Sequence, residues 1–264
     1  MPLQKQVVWI TGASSGIGEA LAYAYSEKGV NLILSARRVK ELERVRENCE
    51  VNDNEVKILP LDLSETDEMP VKTGLAIRMF GRIDVLINNG GVSQQAYAVE
   101  CTMESVRRIM EINFFGTIAL TKSLLPHFIE NKSGHIVVIS SVMGKIGTKD
   151  RSTYASSKHA LHGWFDCLRL EVHQYNIDVS LVCPGYVKTN VSKNALTADG
   201  EKKNEMSDAH KKAMSPNQFA QKLLPKLAKR KNEIYLGGIE IIAIYLKRFL
   251  PGLLKKLLLR AKAT

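Results

Sequence analysis

The chain has 264 residues, of which 45% are hydrophobic and 24% charged. That is the size and composition of one soluble α/β domain whose core needs no cross-links. Its four cysteines, Cys49, Cys101, Cys167 and Cys183, form no CxxC pair and match no zinc spacing, which argues against a disulfide scaffold or a metal centre and for thiols in a reducing compartment. The net charge of +10 is uneven: residues 222–264 hold eleven Lys or Arg against Glu233 and Glu240, so +9 of it lies there, leaving a nearly neutral body and a basic tail.

Met1 leads directly toward an apolar strand, with no charged leader or long apolar core. No stretch reaches the roughly 18 apolar residues of a spanning helix. The expected location is the cytoplasm.

In chain order, Val7–Thr11 reads as the first strand. It runs into Thr11-Gly12-Ala13-Ser14-Ser15-Gly16-Ile17-Gly18, ahead of a helical stretch near residues 16–28. Glycines between a first strand and a first helix allow a tight turn and close approach to a pyrophosphate, and the helix N-terminus offers free N–H groups. The second strand, Asn31–Ala36, ends in Arg37 and Arg38. An NAD site usually carries a carboxylate here for the ribose hydroxyl. Two guanidinium groups suit a 2′-phosphate instead, so the expected cofactor is NADP(H); Arg38 alone also fits a solvated residue opening the next helix, near 38–50.

The third strand, Val56–Leu61, is followed by Asp62 and Leu63. Asp62 suits an acceptor for an adenine amine or the capping region of a helix near 66–80. The fourth strand is Asp84–Ile87. Asn113 then interrupts the apolar helical stretch 103–130; a buried amide needs partners, either through a kink that holds water or through an interhelical bond. The fifth strand, His135–Ser140, delivers Ser141 to the carboxyl edge of the sheet. Tyr154 and Lys158 follow at the start of a helix over 153–175, four positions apart and so on one face. A phenol beside an ammonium has a lowered pKa and can exchange a proton with a developing alkoxide, with the Ser141 hydroxyl placed to hold the substrate oxygen. The sixth strand is Asp178–Cys183, and a helix over 216–229 leads to the seventh, Glu233–Leu236. The polar, lysine-rich run 190–215 reads as a substrate loop, either a mobile lid or a plain solvated connection.

Apolar strands alternating with helices predict a doubly wound, seven-stranded parallel sheet of Rossmann type in one domain. We divide the chain into residues 1–238, the dinucleotide-binding catalytic part, and 239–264, a basic amphipathic tail.

These motifs, together with Asn88-Asn89-Gly90-Gly91 and Pro184-Gly185, give the chain a resemblance over roughly residues 6–240 to the short-chain dehydrogenase/reductase family. Within the family, Ser35-Ala36-Arg37-Arg38, residues 155–160 and 165–169, and Asn194 to Gly200 are most similar to the member 7B group, and more distantly to 11β-hydroxysteroid dehydrogenases. The resemblance implies a catalytic tetrad of Asn113, Ser141, Tyr154 and Lys158. Lys158 would also hold the nicotinamide ribose, and Asn113 a water in a proton relay. It further implies cofactor contacts from Gly12, Ser14, Ser15, Gly16, Ile17 and Gly18 in the first turn, and from Arg37, Arg38, Asp62 and Leu63 about the adenosine. Asn88 and Gly90 would line the adenosine ribose and the fourth strand, and Pro184, Gly185, Val187 and Thr189 would hold the nicotinamide carboxamide. Gly90 departs from the alanine usual there.

The implied activity is interconversion of a carbonyl and an alcohol on a hydrophobic, lipid-, steroid- or acyl-like substrate, and the implied assembly a homodimer or homotetramer. An alternative is a nucleotide-binding sensor or scaffold with little turnover. In residues 239–260 apolar positions interleave with Lys247, Arg248, Lys255, Lys256 and Arg260, broken by Pro251-Gly252. This pattern fits an interfacial helix in peripheral contact with anionic lipid, or one packed on a partner subunit or over the substrate cleft. No nucleic-acid motif accompanies the charge.

Overall fold

A computed structural model describes residues 5–50, 55–191, 193–201 and 213–260. Seven strands form one parallel sheet in the order β3-β2-β1-β4-β5-β6-β7: β1 Val7–Thr11, β2 Asn31–Ser35, β3 Val56–Ile58, β4 Val85–Asn88, β5 Gly134–Ile139, β6 Ile177–Pro184 and β7 Glu233–Leu236. The expected strands are all present, with ends shifted by a residue or so; β3 alone is markedly shorter than expected. β1 and β5 are buried along their whole length, as strands covered on both faces must be.

The helices are α1 Gly16–Ser26, α2 Val39–Glu47, α3 Met69–Phe80, α4 Met103–Met110, α5 Gly116–Asn131, α6 Ser152–Val172, α7 Pro216–Ala228, α8 Ile242–Phe249 and α9 Pro251–Arg260. Leu21 and Tyr25 of α1, Leu42 of α2 and Phe219, Leu223 and Leu227 of α7 share one core with the sheet. Met69 of α3, Leu120 and Phe128 of α5 and Phe165 and Val172 of α6 share the core on the other side. Each fully buried aliphatic or aromatic side chain contributes about 1.5–3 kcal/mol, so these two layers dominate the stability of the fold.

Strand order reverses between β1 and β4, since β2 lies outside β1 and β5 outside β4. Chain segments diverge at this point and leave a crevice beyond the carboxyl ends of the strands. The N-termini of α1 and α6 and the loops after β2, β4, β5 and β6 all open into it.

The tail folds back on the body. Leu254 of α9 is buried with Val142 and Ile146, and Ala243, Ile244, Leu246 and Leu258 pack around them. Of the three packings that the amphipathic pattern allowed, the inner face thus takes the cleft-covering one. No helix among the described residues is long and apolar enough to cross a membrane.

Candidate active site

A cleft of about 550 Å³ runs from the turn after β1, past the ends of β2, β4 and β5, to the end of β6. Its first wall is the glycine turn. Gly12 has φ +64°, a left-handed value that glycine adopts without strain. The third glycine, Gly18, faces the other way: a Cβ there would overlap the Gly12 carbonyl and lie 2.6 Å from Asn89 Nδ2, so it packs helix against turn rather than lining the cleft. No side chain caps the α1 N-terminus at Ser15. Gly16 and Ile17 of its first turn line the cleft with Ser14 and Ser15, leaving the helix's free N–H groups and positive dipole end for an anion.

At the end of β2, Arg38 donates to Ser14 Oγ at 3.0 Å and to Ser15 Oγ at 3.1 Å. It thus spans the phosphate turn as well as opening α2. Arg37 lies 3.7 Å from Asp62, with the two side chains 57% and 32% exposed. A pair so exposed contributes under about 1 kcal/mol, so Arg37 is free to turn to a stronger anion. Asp62 Oδ1 accepts from the Ser64 N–H at 3.0 Å and from its hydroxyl at 2.8 Å. Asp62 and Leu63 both line the cleft.

The asparagine pair after β4 divides its work. Asn88 is buried and donates to Thr121 Oγ1 at 3.0 Å. It does not line the cleft, which corrects its expected place against the cofactor: it is the last residue of β4 and its side chain falls on the α5 side of the sheet. Asn89 lines the cleft instead. Its Nδ2 donates to the carbonyls of Thr11 at 3.0 Å and Gly12 at 3.2 Å, and Thr11 Oγ1 accepts from the N–H groups of Asn89 and Gly90, each at 3.0 Å. These bonds fix the phosphate turn to β4. In the sequence, Asn88 and Asn89 differ by nothing but register.

Asn113 lies fully buried in a single π-helical turn, Glu111–Phe115, between α4 and α5. Its Oδ1 accepts from the Val92 N–H at 2.8 Å, while Nδ2 donates to the Val92 carbonyl at 2.8 Å and to Ser157 Oγ at 3.0 Å. It therefore ties the loop after β4 to α6, an interhelical bond within a local distortion. A Cβ on Gly91 would sit 3.0 Å from Asn113 Oδ1 and 3.7 Å from Lys158 Nζ, so these two side chains approach one another at the Gly91 backbone.

Ser141 follows β5 and caps the short 3-10 turn Val142–Gly144, accepting from the Met143 N–H at 3.1 Å. The same hydroxyl is close enough to the Tyr154 phenol to lower its pKa. Burial raises the pKa of Tyr154 above that of a free phenol, opposed by the Ser141 hydroxyl and by the Arg151 guanidinium. The lowering expected from Lys158 is therefore supplied by other groups. The Lys158 Nζ donates to the Ile139 carbonyl at 3.0 Å and lies 5.8 Å from the Tyr154 ring centre; burial brings its pKa down to about 8.

Arg151, unremarked in the sequence, is buried one turn before Tyr154. It donates to Ser93 Oγ at 3.0 Å and to the Gln94 carbonyl at 2.7 Å, fastening the α6 N-terminus to the loop after β4. Pro184, Gly185, Val187 and Thr189 line the far end of the cleft, with Glu240, Ala243 and Leu258 of the tail.

The described part of the expected substrate loop is docked: Leu196 exchanges backbone bonds with Ser93 and Gln95 at 2.9 and 2.8 Å, and Ala195 is fully buried. Position 192 and residues 202–212 lie outside the described residues. No metal was expected. His162, Asp166 and Glu233 bring ligand atoms within 4.8 Å of one another, but Lys145 and Arg169 already neutralise Glu233 and Asp166.

The parallel sheet, the switch-point cleft and the serine, tyrosine and lysine within it define a nucleotide-dependent oxidoreductase of the Rossmann type. The family model for short chain dehydrogenases matches residues 6–200, and the chain belongs to that family. It is similar to human dehydrogenase/reductase SDR family member 7, with 41% identity over 257 residues covering 94% of this chain and 75% of that one. Bovine member 7B is 39% identical over 263 residues, covering 97% and 81%. A solved short-chain dehydrogenase from Streptomyces avermitilis superposes with a TM-score of 0.80 at 28% identity, covering 96% of this chain and 95% of that one. An alcohol dehydrogenase from Thermococcus sibiricus, complexed with 5-hydroxy-NADP, gives 0.76 at 25%, covering 89% and 97%.

Proposed function

We propose that the protein is an NADP(H)-dependent oxidoreductase that interconverts a carbonyl and an alcohol on an apolar substrate. The observation that carries this reading is the meeting of Ser141, Tyr154 and Lys158 in the same cleft as an uncapped helix N-terminus and two guanidinium groups. The residues present fit the dinucleotide. The α1 N-terminus with Ser14 and Ser15 would take the pyrophosphate, Arg37 and Arg38 the 2′-phosphate, and Asp62 and Leu63 the adenine. Lys158 would take the nicotinamide ribose, and the segment from Pro184 to Thr189 the carboxamide. The bound cofactor supplies the reducing equivalent at its nicotinamide ring.

The chain's own groups do the rest. Ser141 holds the substrate oxygen beside the phenol, and Tyr154 donates its proton to that oxygen as negative charge develops there. Burial keeps the phenol protonated at neutral pH, the form that reduction requires. Lys158, charged below about pH 8, stabilises the phenolate left behind. Val142, Ile146, Ala243 and Leu258 give the substrate side of the cleft an apolar wall, which supports a hydrophobic substrate. The test is NADPH consumption over a panel of apolar ketones and aldehydes, with Tyr154→Phe as control. Tight NADPH binding without turnover on any carbonyl would favour the sensor or scaffold reading.

A second reading concerns the outer face of the tail. Ile242, Tyr245, Phe249, Leu253 and Leu257 are exposed there, among Lys247, Arg248, Lys255 and Lys256. We propose that this face rests on an anionic lipid surface. Flotation with phosphatidylglycerol vesicles should carry the wild type and leave Phe249→Glu behind. A chain that ignores vesicles but self-associates through this face would point to the homodimer or homotetramer contact instead.

A further inference from the structure

The tail enters the active-site cleft at one corner. Ala243 and Leu258 form part of its wall, and Leu254 anchors α9 on Val142 and Ile146, directly after Ser141. At the other end, where the tail leaves β7, the Glu240 side chain ties it to the body. Glu240 lies in the 3-10 turn Ile239–Ile241 and turns inward. Its Oε1 accepts from the Tyr186 N–H at 3.0 Å and from the Gly238 N–H at 2.9 Å. The fit leaves no room for other side chains: a Cβ on Gly185 would overlap Oε1, and one on Gly237 would lie 2.6 Å from it.

Gly185 and Tyr186 belong to the segment from Pro184 to Thr189, which lines the cleft where the nicotinamide end of the cofactor is proposed to sit. One carboxylate oxygen therefore touches both the root of the tail and the cofactor segment. Gly185, Gly237 and Gly238 are costly to order because glycine has much backbone freedom to lose. An acceptor shared between two of their N–H neighbours supplies the restraint that this freedom demands.

We propose that Glu240 is a positioning residue, a latch that joins the C-terminal helices to the Pro184–Thr189 segment, so that seating of the cofactor's nicotinamide end and closure of the tail over the substrate side reinforce each other. The cofactor half of this statement rests on the dinucleotide reading above. The coupling is reciprocal: the factor by which a docked tail tightens NADPH binding equals the factor by which NADPH tightens tail docking.

The test uses the full chain as wild type, Glu240→Gln, Glu240→Ala, Leu254→Ala and the Glu240→Ala/Leu254→Ala double variant. Two readouts are taken: NADPH binding by calorimetry, and hydrogen exchange over residues 239–260 with and without NADPH. Glutamine keeps a carbonyl acceptor, so Glu240→Gln should bind NADPH within about twofold of wild type, whereas Glu240→Ala should lose about tenfold and its tail protection should no longer respond to NADPH. Leu254→Ala, which loosens the tail at its far end, should weaken NADPH in the wild-type background and have no effect in the Glu240→Ala background. The proposal is overturned if Glu240→Ala binds NADPH as wild type does, if glutamine fails as badly as alanine, or if the two alanine substitutions act additively. Failure of the wild type to bind NADPH would instead remove the cofactor reading. The latch between tail and body would then stand or fall on whether Glu240→Ala loses tail protection while Glu240→Gln keeps it.

Discussion

Tyr154 and Lys158 stand one turn apart on α6, yet the Lys158 ammonium is held by the Ile139 carbonyl at 3.0 Å, 5.8 Å from the centre of the phenol ring, while the groups that lower the phenol's pKa are Ser141 and Arg151. The phenol thus keeps its proton and the lysine keeps a backbone anchor. Tyr154→Phe removes the proton donor and leaves the Lys158 bond to the Ile139 carbonyl in place. Carbonyl turnover should fall by about 10²–10⁴-fold, with NADPH affinity nearly unchanged. Steady-state kinetics beside calorimetry checks this, and a matching loss of affinity would mean that the ring mainly holds the cofactor.

Arg38 bridges Ser14 and Ser15 at the phosphate turn. Arg38→Gln should weaken NADPH by about 10- to 100-fold, the worth of charge-assisted bonds to one phosphate, and leave NADH within about twofold. Equal losses for the two nucleotides would place Arg38 on the shared pyrophosphate rather than on the 2′-phosphate.

The doubly wound sheet was legible in the sequence because strands buried on both faces are mostly apolar, as β1 is over residues 7–10 and β5 over residues 136–139. The phosphate turn and the Tyr154–Lys158 pair were legible because their spacing is local. Contacts made across the fold left no such pattern. Nothing in Asn88-Asn89 tells which amide faces the cleft; that depends on where β4 ends. Arg151 and Glu240 are ordinary charges in the chain and meet their partners only when distant loops converge. The tail's amphipathic pattern specified an apolar inner face without specifying what that face covers.

Burial holds Lys158 at about 8, against 10.5 for an unperturbed lysine. Between those values the unfolded chain binds more protons than the folded one, so this group makes stability rise with pH. Below about 8 both states are charged and the full cost is present, about 3 kcal/mol for such a displacement; above 10.5 it is gone. Lys158→Met removes the buried charge together with its bond to Ile139. Without cofactor, the variant should be the more stable form at neutral pH, and its advantage should shrink as pH rises from about 8 to 10.5. Denaturant melts across that range decide it; an advantage that widens with pH contradicts the assignment.

Asn113 satisfies both backbone groups of Val92 from inside a π-helical turn. Asn113→Leu strands that half-buried N–H and C=O, each costing up to about 1–3 kcal/mol when unpartnered. The melting temperature should drop by several degrees or more. An unchanged melt would show that water or a shifted backbone takes over the amide's bonds.

On the proposed function, the cleft brings a reduced nicotinamide and a substrate carbonyl together beside the Tyr154 phenol. The direct measurement is mass spectrometry of the alcohol formed from an apolar ketone and NADPH carrying deuterium at both C4 positions. One deuterium on the former carbonyl carbon is expected with the wild type, and almost no labelled product in the same time with Tyr154→Phe. Alcohol formed without deuterium, or labelled product made equally fast by the phenylalanine variant, would contradict it.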